Sequence, residues 1–82
     1  MSDESLKARI ERLVAEEHEL RSREESDDGE ALAADRERLG ELELELDQCW
    51  DLLRQRRALR SSGGDPDDAS ARDTGTVEGY LQ

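Results

Sequence analysis

The run LAADRERLGELELELDQCWDLL, residues 32–53, decides the fold. Leu32, Leu39, Leu46 and Leu53 recur every seven residues, and Leu42 and Cys49 fill the positions between. That spacing gathers apolar side chains on one stripe of an α-helix and suits packing against a second helix. Asp35 and Arg56 interrupt the intermediate positions. Upstream, Leu6, Ile10, Leu13 and Leu20, with Val14 beside them, form another stripe at helical period, broken by Glu17. Between the stripes lies SREESDDGE, residues 22–30, which is polar, contains Gly29 and reads as a connection. The sequence therefore predicts an all-α fold. It is an antiparallel two-helix hairpin, coiled-coil-like, with helices over about 3–22 and 29–60 and a connection over about 22–29.

End signals agree with this. Ser2 or Asp3 can cap the first helix, and Asp3 and Glu4 suit the positive end of its dipole. Residues 27–51 hold ten acids and two arginines, whereas 54–60 hold four arginines and no acid. Acids early and bases late complement the dipole of the second helix. Gly40 costs up to about 1 kcal/mol against alanine inside a helix; it reads as a point of close helix approach or a slight bend. SSGG, 61–64, ends the helix as a flexible joint into an acidic tail over 61–82. Within that tail Asp65-Pro66 predicts a short helix over 66–71.

Composition narrows the class. Eighty-two residues make one domain at most, and 43% charged against 33% apolar rules out a large core. A net charge of −11 weighs against nucleic-acid and anionic-membrane partners. A single cysteine gives no internal disulfide. The opening MSDESLKARI lacks the basic-then-apolar pattern of a signal peptide. No apolar run approaches the ~18 residues of a membrane span. A cytoplasmic protein is the expectation.

Centring the turn near residue 26 sets Leu6 opposite Leu46, Ile10 opposite Leu42, Leu13 opposite Leu39 and Leu20 opposite Leu32. Glu17 then falls opposite Asp35, with Arg36 and Arg38 close by. In this register residues 49–60 overhang the first helix by about 17 Å. The apolar stripe widens there, through Leu46, Cys49, Trp50, Leu52, Leu53 and Leu59. Such a patch calls for a cover. The tail can supply it with Val77, Tyr80 and Leu81. A different protein can cover it too, and self-association as a homodimer is the expectation.

The segments DQCWDLLRQRRALR, 47–60, and VEGYLQ, 77–82, together with IERLVAEEHELR, 10–21, carry a resemblance. The chain resembles a family of short, uncharacterised actinobacterial proteins defined by a domain of unknown function. The resemblance covers most of the chain apart from the residues around 22–30. It implies a helical protein of this size and brings no activity, substrate or catalytic residue.

Candidate chemistry is sparse. Cys49 has arginines nearby that would lower a thiol pKa, but it occupies a seam position and His18 is remote from it. A packed cysteine is the simpler reading. His18 has Val14, Ala15, Arg21 and Ser22 at helical neighbour positions, none of them a metal ligand. Glu16, Glu17 and Glu19 form a solvated face, not an acid–base pair. No phosphate loop, serine-nucleophile motif or paired CxxC is present. The expectation is a protein without enzymatic activity, cofactor, metal or small-molecule substrate. It would act by interaction through Trp50, Leu53, Arg54, Arg56, Arg57 and Arg60, with Tyr80 and Leu81 in a tail that latches or binds a partner. Arginine forks bind carboxylate or phosphate, and a plainer account pairs them with the tail acids or with Asp3 and Glu4. Two alternatives stand beside this: a nucleic-acid or nucleoprotein factor using the arginines of 54–60, and a thiol redox sensor at Cys49.

Overall fold

The structure, a computed structural model, describes residues 2–26 and 28–71. Helix α1 spans Asp3–Arg23, α2 spans Gly29–Ser61, and a 3₁₀ turn follows at Pro66–Asp68. The two long helices pack antiparallel, as the helical hairpin the stripes predict. Ser2 is the N-cap of α1: its Oγ accepts from the Ser5 N–H at 3.1 Å. At Asp65 the side chain accepts from the Asp67 N–H at 2.9 Å, and Pro66 opens the 3₁₀ turn. That turn is shorter than the predicted helix over 66–71.

Leu6, Ile10, Leu13 and Leu20 of α1 and Leu39, Leu42, Leu46, Cys49, Leu52 and Leu53 of α2 form the core. The heptad reading thus finds the seam, except at Leu32, which is only half-buried. The predicted register is corrected. Asp3 pairs with Arg56 and with Arg60, and Arg23 pairs with Asp35. These contacts place α1 about seven residues, roughly 10 Å, further along α2 than a turn centred on residue 26 would. The offset sets Leu6 level with Leu53, Ile10 with Cys49, Leu13 with Leu46 and Leu20 with Leu39, and all eight are buried.

The connection explains the shift. Glu24 keeps α-helical backbone and the Ser26 N–H reaches the Arg23 carbonyl at 3.0 Å, so the chain keeps climbing beyond α1 before it reverses. Gly29, with φ of 54°, then opens α2; a side chain there would be strained. The overhang accordingly lies at the start of α2. Residues 49–56 do not project past α1, because Cys49, Leu52, Leu53 and Arg56 are buried. Asp35 takes Arg23 as its partner in place of a position opposite Glu17, and Glu17 lies 3.6 Å from Arg21. Gly40 is also corrected: a Cβ there would meet nothing within 4 Å, so no helix approaches it closely.

SSGG is more ordered than a loose joint. The Gly64 N–H bonds the Leu59 carbonyl at 2.7 Å and the Gly63 N–H bonds the Arg60 carbonyl at 3.3 Å. Gly63 has φ of 83°. This is a Schellman turn, which closes the helix with glycine in the left-handed region. It sends residues 65–71 back along α2.

Candidate interaction face

The first part of the site is a clasp at the end where α1 begins and α2 finishes. Arg56 is 8% exposed, a burial that a guanidinium tolerates only when its donors are met. Its Nε donates to Asp3 Oδ1, and its Nη1 donates to Asp67 Oδ1 at 3.1 Å and to the Pro66 carbonyl at 3.2 Å. Arg60 Nη2 lies 2.6 Å from the other Asp3 oxygen. Hydrogen bonds from Arg60 and Arg56 hold the Asp3 carboxyl well below the usual carboxylate range. The same pairing with Asp3 and Asp67 raises Arg56 further. One residue along, Gln55 closes a polar link. Its Nε2 donates to Asp51 Oδ2 at 2.9 Å and to the Ser70 carbonyl at 2.8 Å, and its Oε1 accepts from the Ser70 N–H at 3.3 Å. Ala69 packs on the core beside it. The start of α1, the end of α2 and residues 65–70 are thereby tied together.

The second part lies on another side of the hairpin. Trp50, at 45% exposed, and Val14, at 44%, are the exposed large apolar side chains among the described residues. Trp50 lines an open groove of about 230 Å³ with Lys7, Ile10, Glu11, Leu53 and Arg57. Ile10 and Glu11 are shared with a shallower hollow of about 500 Å³ along α1, lined also by Val14, Ala15 and His18. The result is one apolar strip rimmed by charge.

The residues singled out from the sequence therefore part company. Trp50 and Arg57 are exposed on the groove, while Leu53 forms its floor from the core. Arg54 is exposed and 3.9 Å from Asp51, and Arg60 is exposed but paired with Asp3. Arg56 is corrected from a surface contact to a buried structural group. Tyr80 and Leu81 lie outside the described residues. Sequence reasoning missed the buried Asp51, the Gln55 link to Ser70 and the extension of the strip to Val14 and His18. Val14 was legible in principle, since it sits one residue off the stripe and must face sideways from the seam.

Cys49 is 1% exposed, and burial pushes its thiol up, with Arg9 opposing and Glu45 adding to the rise. A protonated, enclosed thiol is a poor nucleophile. Among the described residues no group of three His, Cys, Asp or Glu side chains could hold a metal ion, and no helix is long and apolar enough to cross a membrane.

Fold and site define the class: a small helical hairpin protein with one clasped end and one open apolar face. The chain belongs to the family described as "Protein of unknown function (DUF2630)", whose model matches residues 2–82. It is similar to the uncharacterized proteins Rv0898c of Mycobacterium tuberculosis and Mb0922c of Mycobacterium bovis. Each is 49% identical over 80 residues, covering 98% of this chain and 91% of the relative. No solved structure matches the chain.

Proposed function

We propose that this is a small, non-enzymatic cytoplasmic accessory protein that works by offering its Trp50 face to another protein, with the C-terminal tail as a latch or partner-binding segment. The observation that supports this reading is the exposed Trp50, beside Val14, on a frame whose nearest end is held by the Asp3, Arg56 and Asp67 clasp. A tryptophan on a preorganised surface is the kind of anchor that dominates interfaces. Preorganisation also lowers the ordering cost of association. Capture of one defined partner by the full chain should be lost in Trp50→Ala while the circular dichroism spectrum is unchanged. Equal capture by both chains would remove the reading.

Phosphate recognition by the arginines is the weaker alternative, because Arg56 and Arg60 already hold carboxylates. A steep fall of nucleic-acid affinity with salt would favour it over a protein partner. Redox sensing at Cys49 is weaker still, given its burial.

A further inference from the structure

We infer that two copies of this chain pair through the Trp50 face in opposite directions, about a two-fold axis at the level of Val14 and Trp50. The inference rests on the proposed interaction role of that face and names its resting occupant, a second copy that any other protein must displace.

Three observations carry it. The first is layering. Two helices side by side make one layer, and a helical fold builds its core by setting one layer on another. One broad face of this layer is already taken. About 140° around α2 from Trp50, Gln55 holds Ser70 through both of its amide atoms. About 120° the other way, Arg38 donates to Glu16 at 2.7 and 3.3 Å and to Glu41 at 3.1 Å. The Trp50 face has no such cover among the described residues, and Trp50 and Val14 stand 45% and 44% exposed on it.

The second observation is that this face matches itself. Lys7, Val14 and Arg21 are spaced by seven on α1, and Glu43, Trp50 and Arg57 by seven on α2. Seven residues make nearly two turns, so each triad lies in one line with steps of about 10.5 Å. Arg21 Nη2 donates to Glu43 Oε1 at 3.2 Å, and Lys7 and Arg57 meet at the Trp50 groove. The two lines therefore run side by side as three rows: basic, apolar and mixed. In the mixed row Glu43 and Glu17, which lies 3.6 Å from Arg21, outnumber that arginine. Turning a second copy end for end sets the apolar row on itself and each basic row on a mixed row with one acid in excess. Pairing in the same direction would set basic row on basic row, which like charge opposes.

The third is size. α1 has 21 residues, about 31 Å, and two helices abreast are about 20 Å wide. Two such faces together bury about 1,200 Å², the lower bound of a stable interface. A lone partner helix, about 10 Å wide, would leave half of the face uncovered. Charges at an exposed rim add little affinity but fix direction. The apolar row thus supplies the attraction and the outer rows the orientation.

The test follows the full chain by sedimentation equilibrium and Trp50 emission from about 1 mM down to about 10 µM, where a weak pair dissociates. A dimer that falls to monomer on dilution, with emission moving to the red as it does, is the expected result. Trp50→Ala should weaken the pair by about tenfold or more. Arg57→Glu should weaken it by about tenfold, and adding Glu43→Arg to that variant should restore it. Circular dichroism of each variant at dilution confirms that the hairpin is intact. A monomer at every concentration overturns the inference. So does a dimer indifferent to Trp50→Ala, which would pair through another surface, or one that Arg57→Glu tightens, which would pair in the same direction. The partner-capture experiment fails or succeeds separately. A Trp50-dependent dimer with no Trp50-dependent capture would sink the proposed role and leave the self-pair standing, and capture by a chain that stays monomeric would do the reverse.

Discussion

Trp50 and Arg56 are six residues apart on one helix, and the structure treats them in opposite ways. The tryptophan is 45% exposed, while the arginine is 8% exposed. Side-chain polarity alone would reverse that order. Partners decide it. Arg56 faces Asp3, Asp67 and the Pro66 carbonyl, which meet its donors and let it be buried. Trp50 has no comparable enclosure from α1 and lines an open groove. The difference teaches that the end of α2 has a structural side and a presenting side, and that charge marks the structural one.

The largest expected effect comes from cutting the structural side's apolar support. Leu52→Ala removes a core side chain 8% exposed that does not line the groove and should cost about 2–5 kcal/mol. Trp50→Ala, at the open surface, should cost less than about 1 kcal/mol. Urea unfolding of the two variants checks the contrast, and equal losses would erase the distinction between the two sides.

Acid should act on the clasp next. The Asp3 pKa is depressed in the folded protein by Arg60 and Arg56. A depressed carboxylate contributes stability above its unfolded pKa, near 4, and that contribution is lost as pH falls toward the folded value. Glu16, lowered by its hydrogen bond with Arg38, acts in the same direction. The urea midpoint of the unaltered chain should therefore drop between pH 7 and pH 3, and Asp3→Asn should drop less over that interval. An Asp3→Asn chain that loses as much to acid as the unaltered one would show the clasp contributes no linkage. The smallest effect lies away from both sides. Gly40→Ala should stabilise the protein by up to about 1 kcal/mol, since the site is helical and open. A lower melting temperature would contradict that.

How much of this was legible follows from what each feature depends on. The hairpin, the Ser2 and Asp65 caps and most of the seam rest on local spacing, and local spacing is written in the sequence. The register was not legible, because the climb beyond Arg23 is a backbone path and not a composition. Its error misplaced the overhang and left Leu32 in a core it does not join. Arg56 read as a break in the stripe because its partners lie 53 and 11 residues away. The Gln55 link failed for the same reason, as it spans 15 residues to Ser70. The Trp50 face was half-legible: the exposed tryptophan was anticipated, and its continuation through Ile10 to Val14 needed the true register.

The Schellman turn has a practical consequence. By reversing the chain, it brings residues 65–71 back to the end of the hairpin where α1 begins. A reporter or fusion attached ahead of Ser2 would emerge beside Asp3, within reach of the guanidinium that holds both strands of the fold-back. One inserted in residues 24–26 would sit most of the length of α2 away, about 40 Å. Labels and affinity handles for this protein are best carried at that far bend, where they leave the arginine and the tryptophan undisturbed.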